Sequence, residues 1–117
     1  MEEIDIMKMI VAIVQDEDAG RLVSALMDKG FGVTKLATTG GFLRAGNSTL
    51  LSGVEDDKLD EALGVIEKVC KSREQITAST APMGGGAAGG VYVPYPIRVT
   101  VGGATVFVLE VAQFLKV

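Results

Sequence analysis

The sequence predicts an α+β fold built on a ferredoxin-like βαββαβ core, and three observations carry that expectation. Short apolar runs rich in β-branched residues, Met7–Gln15, Phe31–Thr38 and Ser48–Val54, have the character of strands. Two segments, one after Asp16 and one after Asp56, place apolar residues at helical spacing. The pattern also repeats at a shift of 40 residues: Val14 falls on Val54, Asp16 on Asp56, Val23 on Leu63, Leu26 on Ile66 and Leu36 on Ile76. Two tandem strand–helix–strand units close into one sheet with both helices on one face.

Each element has its own signal. Met7–Gln15 is almost unbroken in apolar residues and reads as a strand buried on both faces. Asp16 or Asp18 can N-cap the first helix, whose stripe is Ala19, Leu22, Val23, Leu26 and Met27, with Gly30 as its stop. Phe31–Thr38 alternates as a strand, residues 39–47 form a short loop with three glycines, and Ser48–Val54 is the third strand. Asp56 or Asp57 caps the second helix, whose stripe is Leu59, Leu63, Ile66 and Cys70, and Lys68 and Lys71 suit its negative end. Residues 72–95, with the run Met83–Gly90 between Pro82, Pro94 and Pro96, read as a long Gly-rich loop. Ile97–Val101 and Ala104–Val111 then read as a C-terminal hairpin turning at Gly102-Gly103. The first strand is apolar on both faces, yet helices cover only one face of such a sheet. The other face calls for a second copy of the chain, or for the C-terminal segments to fold over it.

Composition bounds the chemistry. With 117 residues and 48% hydrophobic residues, the chain is expected to be one domain, residues 1–117, with residues 1–6 as a flexible N-terminus. It has no His, no Trp and one Cys, so a disulfide framework, a Cys/His zinc site and hydrolase chemistry using a His base are excluded. The lone Cys70 lies on an apolar helix stripe and reads as a core thiol. An acidic N-terminus and a first apolar run closed by Asp16–Asp18 give neither a signal peptide nor a membrane span. A cytoplasmic location is expected.

Charge is unevenly spread within the net −4, which argues against DNA or RNA as a partner. No acid occurs from Lys29 to Val54, nor from Gln75 to Leu109. Strands and loops hold few charges in any protein, but acid-free segments also suit a surface that faces an anion. Asp56, Asp57, Asp60 and Glu61 cluster where a helix begins, as the dipole favours; a small enzyme using Asp56, Asp57 and Asp60 is the alternative from another class. Gly84, Gly86 and Gly89 match the spacing of a dinucleotide fingerprint, but prolines and a strand pattern follow where a helix should start.

Residues Thr34–Asn47 are the informative stretch. Glycines free backbone amides to approach a phosphate, Phe42 can stack on a base, and Asn47 can read a base edge. The alternative is a flexible loop with Phe42 packed inward. At these residues the sequence resembles a known family. The strings Ile10–Asp16, Val33–Asn47, Tyr92–Pro96 and Val101–Leu109 are similar to those of the PII-like cyclic-di-AMP receptor proteins of Gram-positive bacteria.

The resemblance implies a PII-like signal-transduction protein that forms a homotrimer, binds cyclic di-AMP at subunit interfaces and relays it through loop ordering to an unknown protein partner. It implies no catalytic activity, no cofactor besides the ligand, no metal and no membrane insertion. It places ligand contacts at Gly32, Val33, Thr34, Gly41, Phe42, Leu43, Asn47, Gly53 and, from the neighbouring subunit, Phe107. Relatives carry Asn-Phe-Arg where this chain has Gly30-Phe31-Gly32, and their Arg touches the ligand. That departure leaves a second expectation open: a sensor of a different adenine nucleotide, or a member without cyclic-di-AMP binding.

Overall fold

A computed structural model describes the backbone of residues 2–3, 7–36, 46–83 and 91–117, and the side chains of residues 7–36, 46–77 and 96–117. The chain gathers into two compact units, Met1–Lys71 with Gly102–Val117, and Ser72–Val101.

The first unit contains β1 (Glu2–Glu3), β2 (Met7–Gln15), α1 (Asp16–Asp28), β3 (Thr34–Leu36), β4 (Asn47–Glu55), a 3-10 turn (Asp56–Lys58), α2 (Leu59–Cys70), β7 (Ala104–Val111) and β8 (Leu115–Lys116). Its main sheet has four strands in the order β3-β4-β2-β7, all antiparallel. That order and the intervening helices are the ferredoxin-like α+β arrangement. Glu2–Glu3, expected in an N-terminal tail, pairs with Leu115–Lys116 as a separate two-residue ladder.

Alternation on β2 sorts the sheet into two faces. Ile10, Ala12 and Val14 are buried and join Leu50 and Val54 of β4 beneath the helices. Ala19, Leu22 and Leu26 come down from α1, and Ala62, Ile66 and Cys70 from α2. Cys70 is indeed a core thiol, 1% exposed. Asp18 is also buried and is met by Arg21 Nη2 at 2.5 Å, which supplies the charge partner a buried carboxylate needs.

The helix ends differ in part from expectation. Gln15 is the residue before α1 and no side chain caps it, while Asp16, Glu17 and Asp18 occupy the first turn and face the dipole. Neither Asp56 nor Asp57 caps α2; they sit in the 3-10 turn that leads into it. Gly30 does end α1. Its φ of +88° lets the Gly30 N–H reach Met27 O and the Phe31 N–H reach Leu26 O, at 2.9 and 3.0 Å. This is a Schellman stop, and Phe31 and Leu26 close it within the core. Phe31 therefore packs inside, and the second strand is found at Thr34–Leu36 rather than from residue 31.

Lys8 joins two segments on β2. Its Nζ lies 3.4 Å from both Asp56 and Glu110. Partial burial works against the charged ammonium, but the two carboxylates outweigh it and hold the group above its ordinary value.

The second unit corrects the expected long loop. Arg73–Met83 (β5) and Val91–Val101 (β6) form an eleven-residue antiparallel ladder. The prolines concealed it. Pro82, Pro94 and Pro96 stand opposite Tyr92, Thr80 and Ala78. These pairs are two steps apart, so all three prolines fall in one class of ladder pair. A residue without an N–H is tolerated where that group would point outward, and a two-stranded ribbon has open edges on both sides. Residues 84–90 of the glycine run lie outside the described residues.

The expected C-terminal hairpin is corrected as well: β6 pairs with β5, and β7 with β2. Gly102 and Gly103 have the positive φ values, +84° and +90°, that suggest a tight hairpin turn. Their N–H groups are used elsewhere, Gly102 on Gln15 Oε1 and Gly103 on Cys70 O. The chain thus leaves one ladder for another. The 40-residue repeat holds through α2 and then breaks: Ile76 lies in β5, and the strand that closes the second half of the sheet is β7.

Candidate functional site

The face of the sheet away from the helices is exposed along its β3 and β7 edges, while Met7 and Thr49 on the same face are buried. Opposed residues in an antiparallel ladder share a face, so the register assigns this face without ambiguity. It carries Met9, Val11, Ile13 and Gln15 of β2, and Asn47, Thr49, Leu51 and Gly53 of β4. Thr34 and Leu36 of β3 join one side, and Thr105, Phe107 and Leu109 of β7 the other. By the same register Met7, Glu55 and Val111 share this face, and Glu55 is the one charged residue that the register places on it. Leu36 is 41% exposed, and Phe107 and Leu109 are each 52% exposed. β7 forms an edge of this sheet, so that strand extends the face instead of covering it. Among the described residues Leu36, Phe107 and Leu109 leave apolar surface on this face, and grouped apolar surface is what a partner commonly covers.

Sequence-named site residues gather on this face in a particular way. Thr34 opposes Leu51, Leu51 opposes Val11, and Val11 opposes Phe107, which makes one row across all four strands. Thr34 and Phe107 therefore share a face but sit at opposite edges, roughly 14 Å apart at the usual strand spacing. Gly53 stands one row away, opposite Met9. Asn47 stands at the far end of β4, about 20 Å from Gly53 at the usual rise per residue.

Two hollows flank the row. A cleft of about 430 Å3 at the Gly53 end is lined by Met7, Phe31, Gly32 and Gly53, with Lys29, Lys58 and Lys116 against the single acid Glu55. Gly32 holds its end of the cleft in place through its carbonyl, which accepts a 2.8 Å hydrogen bond from Ser52 Oγ. A second hollow of about 270 Å3 lies at the Asn47 end. Val33 is half-buried against the core. Gly41, Phe42 and Leu43 lie outside the described residues.

The base of the short loop is fixed from β2 and α1. The Asp16 N–H donates to Gly46 O at 2.8 Å, and Ser48 Oγ donates to Asp16 Oδ1 at 2.5 Å. These bonds set where β4 begins and hence where Asn47 stands. Sequence reasoning treated Gln15 as a strand end and Asp16 as a cap. The parity of Gln15 with Val11 and Ile13 was the available sign that it belongs to the open face. Among the described residues, no group of three or more His, Cys, Asp or Glu is placed to hold a metal ion. Among them, too, no helix is long and apolar enough to cross a membrane.

Comparison with known proteins agrees with this architecture. The family model described as cyclic-di-AMP receptor matches residues 7–117. The chain is also similar to a solved structure, the crystal structure of a functionally unknown protein from Pediococcus pentosaceus ATCC 25745. The two are 40% identical with a TM-score of 0.76, over 97% of this chain and 100% of that one.

Proposed function

The chain belongs to the cyclic-di-AMP receptor family, and from that premise we propose that it is a trimeric, cytoplasmic PII-like signal-transduction protein. It takes one cyclic di-AMP at each subunit interface and relays occupancy, through order in its loops, to a protein partner. The reading has no catalytic step.

The observation that carries it is the row Thr34–Leu51–Val11–Phe107 on the open face. Its two ligand-contact residues lie too far apart in one copy to hold the same base. Packing open faces around an axis brings the β7 edge of one copy to the β3 edge of the next. The apolar face is buried by the same step that completes the site. Phe107 then stacks on a base, Thr34 and Asn47 supply polar contacts, and backbone amides of the Gly41 region meet phosphate.

Gly32 favours naming a second reading, a sensor of another adenine nucleotide. Its Cα faces open space, with nothing within 4 Å of an added Cβ. No side-chain cation is supplied at this position. Calorimetric titration with cyclic di-AMP, ATP, AMP and cyclic di-GMP separates the readings. Uptake of cyclic di-AMP at one per subunit, and of the others weakly or not at all, is the expected result. Silence toward cyclic di-AMP in a protein still trimeric by light scattering would overturn the receptor reading. Gly32→Arg has room for a Cβ, and a charged hydrogen bond contributes about 1.5–3 kcal/mol. The variant is expected to bind cyclic di-AMP roughly tenfold to a hundredfold more tightly.

A further inference from the structure

We propose that Gln15 is a specificity-determining residue of this site, presenting its side-chain amide to a hydrogen-bond acceptor on a nucleobase edge beside Asn47. The inference rests on the nucleotide-receptor reading and adds to it a contact on β2.

Gln15 is the last residue of β2 and stands directly opposite Asn47, the first residue of β4. The two carboxamides therefore lie side by side on the open face. The Gly102 N–H donates to Gln15 Oε1 at 2.7 Å. A backbone N–H can only donate, so this bond decides which end of the amide is oxygen. Among the described residues no partner meets the Nε2 end, whose two protons are left for a ligand.

The hollow of about 270 Å3 at this place is lined by Ile13, Gln15, Asn47, Gly102, Gly103 and Thr105. None of these residues carries a charge. A phosphate gains little from such a lining, whereas a base edge with ring-nitrogen acceptors matches it. Gln15 gives donors of fixed direction, and Asn47 gives a donor or an acceptor. The Ile13 side chain supplies an apolar wall.

A purely structural Gln15 would do no more than hold Gly102, and substitutions can tell the two roles apart. Gln15→Glu keeps an oxygen for the Gly102 N–H but replaces Nε2 with a second oxygen. Gln15→Met is neutral and of similar length, which separates loss of the donor from repulsion of phosphate. Both variants are titrated with cyclic di-AMP at about 0.5 M salt, where distant charges are screened, and melted alongside the unaltered protein. The expected result is affinity reduced about tenfold or more in both, with Gln15→Glu unchanged in melting temperature and assembly mass. Cyclic-di-AMP affinity of Gln15→Glu within twofold of the unaltered protein would overturn the inference and leave the receptor reading standing. Absence of uptake by the unaltered protein would overturn that reading and this inference with it.

Discussion

Phe107→Asp is expected to abolish cyclic-di-AMP uptake and break up the assembly while leaving the protomer folded. Phe107 is 52% exposed in a single copy and lies on the edge strand β7. An aspartate there stays in water, so the protomer loses little. In the proposed trimer the same carboxylate would face the sheet of a neighbour, with no cation among the open-face residues to meet it. An uncompensated buried charge costs several kcal/mol. Losing the aromatic platform under a base removes about 1–3 kcal/mol more. Together these exceed about 4 kcal/mol, a loss of roughly a thousandfold. Light scattering and calorimetry on one sample check both effects, and circular dichroism checks that the fold survives. A trimeric Phe107→Asp protein that binds normally would remove Phe107 from both the interface and the site.

Leu22→Ala is expected to cost about 2–5 kcal/mol of unfolding free energy. Leu22 is 0% exposed and sits among the residues of β2, β4, α1 and α2 that form the core beneath the sheet. Truncation there leaves a cavity that helices held at both ends cannot close. Domains of this size are stable by about 5–15 kcal/mol, so the loss is a large share of the total. Met27, on the same helix but 60% exposed, is the control. Met27→Ala is expected within about 0.5 kcal/mol of the unaltered protein. Urea unfolding of the two variants decides it. Equal midpoints would mean that α1 does not pack as described.

Local patterns in the sequence were enough to place β2, α1, β4 and α2, because each of these elements has its own period and stop. Gly30 shows why: a left-handed residue after a helical stripe fixes the end of α1 without help from distant contacts. The open face was legible in the same way, from the apolar positions on both sides of β2. Partners across long separations were not. Gly102-Gly103 has the backbone of a hairpin turn, yet its N–H groups bond to Gln15 and Cys70, residues far away in the chain. No local pattern carries that information. The prolines of the second unit misled for a related reason, since proline argues against a strand unless the strand has a free edge.

The candidate site could be named from residue types, but its geometry could not. Alternation alone puts Thr34 and Leu36 on one side of a strand. Only the register across β4, β2 and β7 sets Thr34 and Phe107 in a single row at opposite edges. The ligand itself came from the resemblance of the Val33–Asn47 string to a family, not from the chemistry of glycine, threonine and phenylalanine taken singly.

The proposed sharing of the site between subunits is tested most directly by mixing two crippled proteins. Thr34→Ala and Phe107→Ala each remove one edge of the pocket, and each alone is expected to bind cyclic di-AMP weakly. Unfolded, combined in equal amounts and reassembled, they form mixed rings in which about a quarter of interfaces pair an intact Thr34 with an intact Phe107. The account predicts that tight uptake returns at about that fraction of the subunits. Continued weak binding by mixed assemblies of the right mass would contradict it, because both residues would then act within one copy or not at all.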